Sequence, residues 1–184
     1  MSVMTSSATT VDRDHPITAA LSVCADELKG LRDQPAWSLT PAQTRDALVE
    51  VTRLQARVAE LEARLADHGR TVEVEADSGA SSTADWWAHA TKQTRPTTKR
   101  KVRLGKALAT DLHAPVRTAL ADGRVVVDQA EVIIAAIDAL PEDLDPAVVR
   151  DAQQHLLERA GEFDAKHLRI LGRRILEVVA PEIG

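Results

Sequence analysis

The chain contains a single cysteine, no tyrosine, and only four aromatic residues: Trp37, Trp86, Trp87 and Phe163. One cysteine, Cys24, excludes an internal disulfide and any cysteine-rich zinc site. With so few aromatics the core has to be built from Leu, Val, Ile and Ala, which suits closely packed helices better than a sheet. Strand-like alternation is scarce as well; Val72 and Val74 alternate with Glu73 and Glu75, but the run is too short to define a strand. No apolar run approaches the ~18 residues of a membrane span, and the start lacks the charged and apolar segments of a signal peptide. The expectation is an all-α protein without a membrane segment, in a reducing, cytoplasmic setting.

The chain has 184 residues, 44 % of them apolar, and a net charge of −5. That is enough apolar material for a core and enough length for one domain with an extension. The charge is unevenly spread. Between Trp86 and Thr110 there is no acidic residue, while Lys92, Arg95, Lys99, Arg100, Lys101, Arg103 and Lys106 all fall there. These seven leave −12 on the remainder, a segregation that points to a polyanionic partner.

The island has its own start and stop signals. Ser82-Thr83-Ala84-Asp85 has the form of a capping box, with Asp85 reaching back, ahead of a short helix through TADWWAHAT. Thr94, followed by Pro96 in the first turn, caps a second helix that runs to about Ala109. Two short helices joined by about three residues have the outline of a helix-turn-helix. On a wheel of about 100° per residue, Arg95, Lys99, Arg103 and Lys106 share one face, with Arg100 on the flank. Val102, Leu104, Gly105, Leu108 and Ala109 share the other. Lys101 falls inside that apolar arc and has to extend along its own stem to reach water. A solvated basic face on an ordinary bundle helix is the competing reading of the same pattern.

Residues 1–14 lack periodicity and are expected to form a disordered tail. A first helix is expected from Pro16 to about Arg32, with Cys24 as a small core residue, and 15–69 as a helical pair. Thr40-Pro41-Ala42-Gln43 starts the clearest helix, expected to end at Gly69. In it Val51, Leu54, Val58, Leu61 and Leu65 recur in steps of three and four, an a/d seam. Such a seam suits an antiparallel partner within the chain, most simply the first helix, or a homodimer. A linker is expected at 70–81 and a helical bundle at 82–181. There Gly123 closes one helix, Asp128 caps a largely apolar one, Asp145-Pro146 starts another, and Asp164 caps the last.

Catalytic constellations are missing. The histidines, His15, His68, His89, His113, His155 and His167, include no i, i+4 metal pair. His155 with Glu158 reads as a surface pair, and Glu142, Asp143 and Asp145 as turn residues. There is no phosphate-cradling glycine loop and no Gly-x-Ser-x-Gly. Either Trp86 or Trp87 can stack a base, but one of them should face the core. No catalytic residue, metal or cofactor is expected.

The blocks GASSTADWWAHATKQT, KRKVRLGKAL, ALADGRVVVDQAEVIIAAIDALP and HLRILGRRILEVVAPE, in that order, resemble domain of unknown function 222. This is the helical region found ahead of HNH endonuclease domains, and the likeness covers about residues 15–183. Lys101, Thr98 and Gly105 depart from the family's usual Leu, Ala and Ala, and a Ser or Thr cap is missing near Val127. The resemblance implies an accessory role beside a nuclease. The His-Asn-His chemistry of that nuclease cannot come from this chain, which has no asparagine. The functional expectation is DNA contact through Lys92, Arg95, Lys99, Arg100, Arg103 and Lys106. The alternative is an interaction module that dimerises through the seam.

Overall fold

Capping chemistry fixes where most helices begin. The computed structural model describes residues 15–179 and contains α1 (Pro16–Gly30), α2 (Pro41–Thr71), α3 (Thr83–Thr91), α4 (Arg95–Leu108), α5 (Ala114–Ala121), α6 (Val127–Asp138), α7 (Pro146–Arg159) and α8 (Ala165–Val179). Single turns of 3₁₀ helix lie at Ala36–Ser38 and Asp111–His113. There is no strand among the described residues, and the fold is all-α.

At α2 the Thr40 amide donates to Gln43 Oε1 at 2.9 Å and the Gln43 amide to Thr40 Oγ1 at 3.3 Å, a complete capping box. Asp145 accepts from the Ala147 amide at 2.8 Å and Asp164 from the His167 amide at 2.9 Å, opening α7 and α8. Gly123 ends α5 with φ +72°, and the Arg124 amide returns to the Ala119 carbonyl at 2.9 Å, the Schellman closure that glycine permits.

Three local expectations are corrected. Asp128 does not cap α6, which begins one residue earlier. The Val126 amide is satisfied by Gln129 Oε1 at 3.0 Å, and the Asp128 carboxylate is turned to Arg100. Gly69 does not end α2, which continues to Thr71. A Cβ at 69 would sit 3.3 Å from both Thr83 Cγ2 and Val74 Cγ1, so the glycine makes room for the chain that folds back over it. Cys24 is exposed rather than core, in a helix that buries none of its residues.

Contacts divide the chain into a unit reaching to Arg45 and a second from Asp46 onward, so the division falls within α2. The expected linker at 70–81 lies inside the second unit. The core of this second unit is aliphatic, as the composition required. Val116 and Leu120 of α5, Ile133 of α6, Leu156 of α7 and Leu168 of α8 are fully enclosed. Each such side chain contributes about 1.5–3 kcal/mol by leaving water. Where helices cross most closely the side chains are small: a Cβ on Gly172 would lie 2.7 Å from the Ala136 Cβ.

The second unit's part of α2 has two unlike faces. Ala56, Glu60, Ala63 and Ala66 are buried. Here α4 approaches so closely that a Cβ on Gly105 would lie 2.3 Å from the Ala63 carbonyl oxygen. On the other side the seam is not buried: Val51, Leu54, Val58 and Leu65 are 38–46 % exposed and Leu61 is half-buried. The alanines, and not the regularly spaced Leu and Val, hold α2 to the bundle.

Candidate nucleic-acid interface

The α3–α4 pair is built by short polar contacts. Ser82 Oγ accepts from the Asp85 amide at 3.2 Å and caps α3. Asp85 does not return to the backbone as a capping box would have it. Its Oδ2 accepts the hydroxyls of Ser81 at 2.6 Å and Ser82 at 3.0 Å. These hydroxyls, Ser81 first, hold its carboxyl below the ordinary value, and the charges of Arg95 and Lys99 act in the same direction. Its side chain is only 14 % exposed, with Arg95 Nε 3.2 Å from Oδ1.

Lys92 closes α3 with φ 59°, a left-handed conformation that non-glycine residues seldom adopt, and this sets the sharp turn into α4. Thr94 Oγ1 accepts from the Thr97 amide at 3.4 Å and caps α4. The buried Thr98 hydroxyl donates to the Ala84 carbonyl at 2.8 Å, fastening α4 to α3. An alanine at 98 would leave that carbonyl without this donor.

The cations of α4 part company. Lys92, Arg95, Lys99, Arg103 and Lys106 are exposed. Among the described residues no carboxylate pairs with Lys92, Lys99, Arg103 or Lys106; Arg95 alone of the five has one, Asp85. Arg100 turns away to α6, where Nε and Nη2 donate to the two Glu131 carboxylate oxygens at 2.7 and 2.6 Å and Nη2 also reaches Asp128. Those hydrogen bonds, Glu131's above all, raise its pKa, so it is locked in its charged form and already matched. Lys101 resolves its awkward place on the wheel through α2 and α3. Its Nζ donates to Glu62 Oε1 at 2.9 Å and sits 5.1 Å from the centre of the Trp87 ring. The sequence-predicted set therefore divides, with five residues displayed and Arg100, exposed as well, matched to Glu131 and Asp128.

Trp86 and Trp87 are both half-buried, so neither is the core residue expected of one of them. They line an apolar cleft of about 340 Å³ together with Leu65, Val72 and Val74.

Sequence reasoning missed two features. The first is a groove of about 630 Å³ between α6 and α8, with Arg100 at one edge and Lys166, Arg169 and Arg173 along the α8 wall. These α8 residues recur in steps of three and four, a signal present in the sequence but outside the dense island. The second is His113, buried at 2 % exposure. Its Nε2 bonds Asp138 Oδ1 at 2.8 Å. A carboxylate accepts only, so Nε2 carries the proton and Nδ1 faces Gln153 Nε2 at 3.5 Å. Gln153 Nε2 also donates to the Leu112 carbonyl at 3.0 Å. This trio ties the start of α5 to α6 and α7. Among the described residues no cluster of His, Cys, Asp or Glu could hold a metal ion, and no helix is long and apolar enough to cross a membrane.

Residues 42–183 match the family described as a domain of unknown function (DUF222). The chain belongs to this family. No curated protein and no solved structure matches it. Membership covers most of α2 and every later helix, which is the part that carries the displayed cations and the alanine face. Within this DUF222 domain position 105 has no room for a Cβ, which would meet the Ala63 backbone of α2.

Proposed function

We propose that this DUF222 domain binds the phosphate backbone of DNA through the outward ridge of α4. It acts as a non-catalytic accessory module beside a nuclease, the association that the resemblance to regions upstream of HNH domains implies. One observation carries the reading. Five cations, Lys92, Arg95, Lys99, Arg103 and Lys106, are displayed from one turn and one helix, four of them without a carboxylate partner among the described residues. Cations that serve only the fold are matched in place, as Arg100 and Lys101 are. Unmatched ones are available to phosphates, and Arg95 can exchange Asp85 for one. The contacts position rather than specify, because lysines and arginines on a ridge meet phosphates without reading bases.

If about five cations each displace a counterion, log K falls against log salt with a slope of about −4.5. Fluorescence titration of a labelled duplex between about 50 and 200 mM salt reads that slope. Affinity independent of salt, or no binding at low micromolar protein, overturns the reading.

A second reading, a protein-interaction module without nucleic-acid contact, is favoured by the exposed α2 seam. The same titration separates the two, since a module of that kind shows no duplex binding.

A further inference from the structure

We propose that the groove between α6 and α8 docks an acidic amphipathic helix of a partner protein. The partner's carboxylates meet Lys166, Arg169 and Arg173, and its apolar row fills the floor. The proposal stands apart from DNA binding by α4.

The groove has a volume of about 630 Å³. At its base α6 and α8 meet where a Cβ on Gly172 would lie 2.7 Å from the Ala136 Cβ. Residues this small bring the helices together without filling the space above them. Val132, Ala135, Ala139 and Leu176 complete an apolar floor, and Ala135 and Ala139 are exposed on it. Such a floor accepts larger apolar side chains from outside, as when an amphipathic helix lies in a groove.

Charge selects the occupant. Lys166, Arg169 and Arg173 stand exposed along the α8 wall, and steps of three and four keep them on one side of the helix over about 10 Å. Among the described residues no carboxylate pairs with any of the three, whereas Arg53, Arg64, Arg70, Arg124 and Arg159 each hold one. On the facing edge Arg100 takes both oxygens of Glu131, at 2.7 and 2.6 Å. The two α8 arginines can make the same forked pairing with a carboxylate supplied by a partner. A helix with an acid every three or four residues along one flank meets all three cations within about two turns, and its neighbouring positions fall on the floor.

A nucleic-acid strand suits the groove less well. Its phosphates would find no donor on the apolar floor and would run beside Asp128 and Glu131 on the α6 edge. A peptide helix can direct its acids at one wall alone. It can also set a neutral or basic residue against Asp128, whose side chain is 70 % exposed.

Fluorescence anisotropy with the full chain and two labelled, end-capped peptides of about 15 residues tests this. Both peptides carry leucines at steps of three and four; one has glutamates along the left flank of that row and the other along the right. One of the two should bind saturably, and more weakly as salt rises. Its Glu→Gln counterpart should bind about tenfold more weakly, and so should the original peptide to Arg169→Ala/Arg173→Ala, as the loss of two exposed ion pairs predicts. Ala135→Glu/Ala139→Glu should abolish binding; both positions are exposed, so helical circular dichroism should be unchanged. The arginine pair decides the matter even if the glutamate pair fails to fold. No binding of either peptide up to about 1 mM overturns the proposal. Equal binding of the glutamate and glutamine peptides, or binding indifferent to the α8 variant, overturns it as well. So does duplex DNA binding that Arg169→Ala/Arg173→Ala weakens as much as Lys99→Glu/Arg103→Glu, since the α8 wall then serves phosphates. Absence of DNA binding by α4 overturns only the earlier reading and leaves the peptide result to stand on its own.

Discussion

Lys99 and Arg103 on one side of α4, and Arg100 and Lys101 on the other, are the same chemistry within one five-residue stretch, yet the structure treats them oppositely. Arg100 bridges to Glu131 and Asp128 on α6, and Lys101 reaches Glu62 on α2 beneath the Trp87 ring. Lys99 and Arg103 are exposed, with no carboxylate paired to them among the described residues. A basic stretch is thus not a uniform patch. Rotation of 100° per residue sends neighbouring charges to different jobs: one pair fastens α4 to its neighbours and the other stays available.

Charge reversal of the available pair should give the largest effect on binding. Lys99→Glu/Arg103→Glu is expected to weaken duplex DNA binding about 100-fold at low salt and to flatten the salt slope, with stability within about 0.5 kcal/mol of wild type. Paired titration and urea unfolding measure both. A large stability loss would mean that the outward pair also serves the fold.

Gly105→Ala probes the inward face through the backbone rather than through charge. The added Cβ would meet the Ala63 carbonyl at 2.3 Å, so α4 has to move. We expect about 1–3 kcal/mol of destabilisation by urea unfolding, as overpacking typically costs. A neutral result would show that the α2–α4 crossing relaxes easily.

Arg100→Ala should lower stability by at most about 1 kcal/mol, because the pair is half exposed and water screens it. DNA affinity should change less than about twofold if the matched arginine takes no part in phosphate contact. A drop comparable to that of Lys99→Glu/Arg103→Glu would return Arg100 to the interface.

The smallest effect is in acid. Asp85 is held below its ordinary value of 3.8 by the Ser81 and Ser82 hydroxyls. A carboxyl lowered in the folded state contributes fully above its unfolded value and loses that contribution as pH falls through the folded one. The acid limb of thermal stability below about pH 3.8 should therefore become shallower in Asp85→Asn than in wild type. An unchanged limb would assign acid sensitivity elsewhere, for example to Asp164, which the His167 amide and ring lower in the same way.

Much of this was legible in the chain. The Thr40–Gln43 box, the Thr94 cap, the Asp145 and Asp164 caps and the Gly123 stop are local chemistry, decided within three or four residues. The basic helix and its outward face follow from a periodic count. Less legible was anything resting on a partner distant in sequence. Asp128 has the look of an N-cap, but Arg100, 28 residues earlier, claims it. Nothing local marks His113 as buried, since its partners Asp138 and Gln153 lie 25 and 40 residues away. The α8 cations were overlooked because their density along the chain is lower than in the island, although they gather on one wall of a groove.

By itself the sequence determined that the chain is helical, where most helices start, and which α4 cations share a face, because caps, turns and the 3.6-residue repeat act over a few residues. Only the tertiary structure decided which of α2's two stripes is buried and which cations are neutralised. Close packing needed the alanines where Gly105 meets Ala63, and that choice left the larger aliphatic side chains outside. Charge matching depends on carboxylates that only folding brings within reach.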